Sequence, residues 1–474
     1  MKRIAVISPS RLLYMAASCA LMPILLLTGC DRAKQQSSTQ TSSVRPDLLS
    51  ATTVLATIGD DERPQSFIPI PGHVMPSASE NQQALFQVIF SETGKGAAYL
   101  AEEDGKTYVV HNGSAGKQYA TVGAVSLSAD GRRIAYGALE DGKWRMVSDG
   151  KEGEVFNTVK SPVFSPDGKH LAYLAMKGEK WYVVVDDMPN SGTSGNYSNL
   201  QFNADSNLIA YVENQAVNKR VRLIISDLRF GSQHVKQSAG NLLVASNDKT
   251  RLAATQIVNN KLRVIDFSFA EPEVVNEGQL YDGVDLLAVG DDGASVSYVA
   301  VKSTTRFLVL NNREEPLPEG DLPGLPVVRP DKKGAGILMA RPNGVFLRQA
   351  FFHSTEKGKM YDEAANLVYS PDSRFYALAA RKGQGWFIVV NGKEGPGFDR
   401  VVSPIFSPDG KKVVYRARKA GKRFVVVADT NGKTIKQHPE YEQVFQPVFS
   451  PDGKSVAYGV KDGRKLICEV EKLD

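Results

Sequence analysis

The chain has 474 residues, beyond one ordinary compact domain unless the fold is a repeat protein or a barrel. Hydrophobic residues make up 42% and charged residues 23%, which excludes a disordered or collagen-like chain. The formal charge of +5 becomes +2, 54 basic against 52 acidic, once Lys2, Arg3 and Arg11 of a cleaved leader are set aside, so there is no footprint for nucleic acid.

The N-terminus runs "MKRIAVISPSRLLYMAASCALMPILLLTGCDRAK". A basic start is followed by an apolar run over 12–27, the layout of a secretory signal and short for a stable membrane span. The run ends in Leu27, Thr28, Gly29 and Cys30, which resembles the bacterial lipoprotein box. That resemblance implies a signal peptide over 1–29 and a diacylglycerol on the Cys30 sulfur, with no other cofactor expected. A second acyl chain on the new amine supplies the two anchors that stable membrane attachment requires. Asp31 resembles the enteric signal for retention at the inner membrane, so the expected location is its periplasmic side, with the outer membrane as the alternative. Residues 30–80 read as the lipidated Cys and a tether: Gln-, Ser- and Thr-rich over 31–50, then Pro-containing over 62–80. With Cys19 in the leader and Cys30 acylated, only Cys468 is left; no intramolecular disulfide is possible, and it reads as a small buried residue.

The domain expected over 81–474 is built from a repeat. "PVFSPDGKHLAY" at Pro162 returns as "PIFSPDGKKVVY" at Pro404 and "PVFSPDGKSVAY" at Pro447. Pro presets the first corner of a turn, Asp tolerates the second, and Gly takes the strained position. Pro166, Asp167 and Gly168 form one such set. Pro408, Asp409 and Gly410, then Pro451, Asp452 and Gly453, form others; Asp130 with Gly131, and Pro371 with Asp372, are shortened forms. Apolar residues on both sides predict strand, turn, strand. A third strand follows, as in "EKWYVVVDD" at 179–187 or "GKRFVVVAD" at 421–429, and a fourth is expected near "EVFNTV" at 154–159. Marking the turn gives ten positions from Thr93 to Asp452, spaced 37 to 44 residues apart, with degenerate copies from Asp205 to Asp331.

Forty-residue units of antiparallel strands have propeller-blade spacing. "FSPDGKxxAY" followed by "GKWxVVVDGKEG" resembles the PD40 type of WD40-like repeat found in the TolB family and in bacterial lipoproteins. The resemblance covers about five-sixths of the chain; no stretch matches a TolB-type N-terminal α/β domain. It implies an all-β propeller of about ten blades. One large ring is preferred over two smaller propellers or a seven- or eight-bladed ring. The last repeat stops at its third strand, so residues 80–88 are expected to close the ring against 464–470.

No Gly-x-Ser-x-Gly nucleophile elbow and no phosphate-binding loop occur. The six His residues show no zinc-site spacing, and His170, beside a turn, reads as a surface residue. The repeated Asp residues read as turn formers rather than ligands for a metal. Trp144, Trp181 and Trp386 read as packing between blades, and the basic "RARKAGKR" at 416–423 as a solvated hairpin edge. The function expected is a non-catalytic scaffold for an envelope protein or glycan, attached to the membrane through its lipid. The alternative is a propeller enzyme of hydrolase, lactonase or lyase type with a site in the central channel.

Overall fold

A computed structural model describes residues 51–58, 63–65, 88–91, 95–215, 221–237, 239–291, 293–350, 357–450 and 452–473. These form 43 strands in ten antiparallel sheets, without a helix among the described residues. Numbered along the chain, nine sheets are blades of four strands in chain order, with strands within 63–115 (blade 1), 121–156 (2), 158–189 (3), 196–236 (4), 239–277 (5), 283–316 (6), 322–361 (7), 363–394 (8) and 400–437 (9). Blade 10 has three strands within 443–472 and takes its fourth from the N-terminal side; blades 1, 7 and 10 have the first strand broken in two. First strands of neighbouring blades touch one another, as Thr121–Leu127 touches Thr158–Phe164, so they stand nearest the axis.

The turn between first and second strands explains the repeat. Ser165 carbonyl accepts from the Gly168 N–H at 2.8 Å, closing the turn. The Ser165 hydroxyl donates to Asp167 Oδ1 at 2.6 Å and accepts from the His170 N–H at 3.0 Å. Asp167 Oδ1 also accepts from the Lys169 N–H at 3.0 Å. The same set recurs with Ser128 and Asp130, Ser246 and Asp248, Ser370 and Asp372, Ser407 and Asp409, and Ser450 and Asp452. Gly131, Gly168, Gly410 and Gly453 turn left-handed with φ of 69–72°, the region a side chain disfavours. In degenerate copies Ser206, Lys249, Lys332 and Ser373 hold that corner at φ of 56–64°. The sequence drifted while the backbone did not.

A blade buries little on its own, and the core lies between blades. Ten apolar clusters correspond to ten interfaces. One joins Tyr99 and Val110 of blade 1 to Ala56 and Leu466 of blade 10, which makes the ring single and closed. Seven second strands insert a buried Tyr: Tyr99, Tyr136, Tyr173, Tyr211, Tyr298, Tyr415 and Tyr458. Tyr136, Tyr173, Tyr211, Tyr298 and Tyr415 each meet an aromatic edge-on at 5.5–6.4 Å. The three Trp residues sit in or against such interface clusters.

The closing strand is Ala51–Thr57, which pairs antiparallel with blade 10 from Val470 down to Lys465. This corrects the expectation that 80–88 closes the ring: Val88–Phe90 pairs within blade 1, against Ala97–Tyr99, and 80–87 lies outside the described residues. The physical reason is register. Val88–Phe90 completes a first strand begun by Arg63–Gln65 on the same partner strand. In other blades that break is a short bulge with a left-handed residue: Ser161, Asn199, Leu286, Asn366 or Ser403.

Candidate functional site

A cleft of about 660 Å³ lies between blades 5 and 6, within the degenerate repeats. Blade 5 supplies Arg251 from its second strand, Asp266 from its third, and Asn276 and Glu277 from its fourth. Blade 6 supplies Tyr298 and the turn Asn311–Asn312. Cross-strand pairing aligns the polar wall. Asp266 stands opposite Asn276, whose amide donates to it at 3.0 Å, and Arg251 donates to the same carboxylate at 2.5 Å. Glu277 is held by Arg263 at 2.6 Å.

One departure from the repeat and one glycine it keeps shape the cleft. This hairpin turn is Asn-Gly at Asn112–Gly113 and Asn391–Gly392 and Asp-Gly at Asp149–Gly150; here Asn312 takes the Gly position at φ 64°, as Asp187 does in blade 3, and adds an amide. Asn311 keeps the common role, accepting from the Val296 N–H at 3.0 Å. Gly278 is needed opposite: a Cβ there would stand 3.0 Å from the Val264 carbonyl and 3.1 Å from the Tyr298 hydroxyl. That hydroxyl is buried and makes no hydrogen bond of ordinary geometry, as does Arg251 Nε. Burial pushes the Tyr298 phenol up to about 12. Its neighbour Tyr281 donates to Glu314 at 2.7 Å, and burial followed by that bond raises its pKa strongly. The cleft therefore offers amides, a phenol and a guanidinium edge, while its carboxylates are consumed by ion pairs.

The remaining residues singled out in the sequence are dispersed. The turn aspartates, Asp130, Asp167, Asp372, Asp409 and Asp452, lie one per blade and are spent on their own turns. Leu27, Thr28, Gly29, Cys30, Asp31 and Pro451 lie outside the described residues. His170 is half-exposed, with Nδ1 2.6 Å from Asp186. Among the described residues no three of His, Cys, Asp and Glu come together as a metal site. Sequence reasoning passed over His438, which is buried between blades 9 and 10 with Nδ1 2.5 Å from Glu471. Its N–H bonds the Val425 carbonyl as Gly116, Gly278 and Gly395 bond theirs, so His438 fills a glycine position. That substitution is the signal an alignment of the repeats carries. Burial lowers its pKa, outweighing Glu471.

No family model and no curated relative matches the chain. Solved structures do align with it. A eukaryotic initiation factor is 13% identical with a TM-score of 0.43, covering 74% of this chain and 96% of that one. The propeller domain of the Trilobed protease from Pyrococcus furiosus is 14% identical with a TM-score of 0.32, over 59% and 98%. TolB from Acinetobacter baumannii is 14% identical with a TM-score of 0.24, over 74% and 79%. The class defined by the fold itself is a ten-bladed β-propeller.

Proposed function

We propose that the protein is a non-catalytic binding scaffold of the bacterial envelope, a PD40-type propeller lipoprotein anchored through diacylglycerol on Cys30. Its partner is an envelope protein or a glycan, and the inner-membrane side is favoured by Asp31. The observation that carries the reading is the chemistry of the cleft between blades 5 and 6. Asp266 and Glu277 are committed to Arg251 and Arg263, so neither is a spare proton donor or acceptor. The unsatisfied Tyr298 hydroxyl and Arg251 Nε suit hydrogen bonding to a ligand's oxygen atoms.

The test compares wild type, Cys30→Ser and Asn312→Gly in pull-downs from crosslinked native envelope. Asn312→Gly restores the residue the turn prefers, so the fold is kept while the cleft loses an amide. The expected result is one reproducible partner, reduced several-fold by Asn312→Gly and dependent on Cys30 for its enrichment. Equal recovery by wild type and Asn312→Gly overturns the cleft as the binding site. No partner under any condition overturns the scaffold reading.

A further inference from the structure

The basic hairpin at 416–423 is more than a solvated edge. Register puts Arg400, at the start of the first strand of blade 9, directly opposite Arg418 on the second. Arg418 in turn stands directly opposite Arg423 on the third, and Lys419 opposite Lys422 at the tip. Like charges directly opposite one another destabilise a sheet. The fold does not ask for them. The same row holds Thr121, Leu139 and Trp144 in blade 2, and Thr158, Met176 and Trp181 in blade 3. In blade 8 it holds Glu363, Arg381 and Trp386, with Arg381 paired to Glu363 at 2.8 Å.

The acids around the row are already engaged. Asp362 and Glu363 face Arg381, with Glu363 also near enough to favour the Arg400 charge; Asp399 accepts from the Ala420 N–H at 2.8 Å, and Glu442 is bound by Lys461. Among the described residues Arg400, Arg418 and Arg423 form no ion pair. The two ends of the row are fixed all the same. Arg400 lies over the Trp386 ring, 3.9 Å from its centroid, and Arg423 donates to the Glu442 carbonyl at 2.5 Å. Arg418 is exposed between them. Deeper in the blade, Arg416 donates to the Ser403 hydroxyl at 3.0 Å and the Val444 carbonyl at 3.3 Å, adding a further cation without an acid. Adjacent strands are about 5 Å apart, so the row presents closely spaced guanidinium forks, the geometry suited to carboxylates.

We propose that Arg400, Arg418 and Arg423 form a docking row for an acidic, Glu- or Asp-rich segment of a protein partner. A lipid surface is disfavoured by the ring's register. The closing strand pairs Thr57 with Lys465 at the hairpin end and Ala51 with Val470 toward the turn end. The chain therefore enters the ring from the end opposite the arginine row. With Cys30 as anchor, a point that rests on the proposed function, the row faces away from the membrane.

The test uses the full chain carrying Cys30→Ser, so that acylation does not enter the readout, and compares variants of the row that leave the cleft unchanged. Binding of a fluorescent oligoglutamate peptide is measured by anisotropy at low and high salt, with oligoglutamine as control. Wild type is expected to bind oligoglutamate, selectively and with strong salt dependence. Arg400→Gln/Arg418→Gln/Arg423→Gln is expected to weaken binding at least about tenfold, and the exposed single change Arg418→Gln to weaken it measurably. The triple variant is expected to melt no lower than wild type, because like-charge opposition is relieved. Equal affinity in wild type and Arg418→Gln, or no binding by wild type at low salt, overturns the proposal. So does tighter association with vesicles of equal parts phosphatidylglycerol and phosphatidylethanolamine than with oligoglutamate.

Discussion

Ser165 holds its turn by two bonds at once, giving its proton to Asp167 and taking the His170 N–H. Burial pushes the Asp167 carboxyl up, but bonds from Ser165, Lys169 and Ser206 outweigh it and hold the pKa at about 2. An unfolded Asp titrates near about 3.9, so this turn contributes stability above that pH and loses it as pH falls toward about 2. Asp130, Asp372, Asp409 and Asp452 are lowered in the same direction. Stability should therefore fall steeply between about pH 4 and 2. Ser165→Ala is expected to cost about 1 kcal/mol at pH 7 and to shrink the acid-sensitive part. Urea unfolding across that pH range is the check; an unchanged slope in Ser165→Ala would remove the turn from the account. The Pro, Asp and Gly of these turns were legible in sequence because each meets a backbone demand. The Ser was not, since its role needs the N–H five residues on to be brought back beside it.

The closing strand shows the opposite case. Ala51–Thr57, "ATTVLAT", is short, half-polar and set in a tether-like stretch, and its partner lies more than four hundred residues away. No local pattern announces such a pairing, whereas the missing fourth strand of the last repeat announced the need for one. The register offers a direct probe: Thr53 stands opposite Cys468, the free and buried thiol. Directly opposed residues have Cα atoms about 4.5–5.5 Å apart, within disulfide reach. Thr53→Cys should form an intrachain bond with Cys468 on mild oxidation, seen as a faster non-reducing gel band, and should stabilise the chain by about 2–4 kcal/mol. A Cys at position 85, in the stretch first expected to close the ring, should not crosslink. The reverse pattern would return closure to 80–88. The cleft was equally illegible as a site: it is assembled from two blades, and only the degeneracy of the middle copies marked its neighbourhood.

A ring of ten blades has ten interfaces and no free end, and only one interface depends on the N-terminal strand. There, Thr52 donates to Glu469 at 2.7 Å, the Ile58 N–H donates to the Arg464 carbonyl at 2.8 Å, and Ala56 and Ile58 pack with Leu466 and Tyr108. Removing 51–58 would strip these apolar contacts and expose Lys465–Lys472 as an unpaired edge carrying Ile467 and Cys468. The loss is on the order of 3 kcal/mol or more from buried side chains alone. An open edge of that length is also a template for pairing with another chain. The truncated protein should therefore melt lower than the full chain and associate with itself in a concentration-dependent way. Both effects can be read by scanning calorimetry and multi-angle light scattering. A truncated chain that stays monomeric with an unchanged melting temperature would mean that blades 1 and 10 hold together through Tyr99, Tyr108 and Leu466 without the strand. The other nine interfaces, each with its own apolar cluster, make the expected failure local: blade 10 should open first while blades 2 to 8 keep their hydrogen-exchange protection.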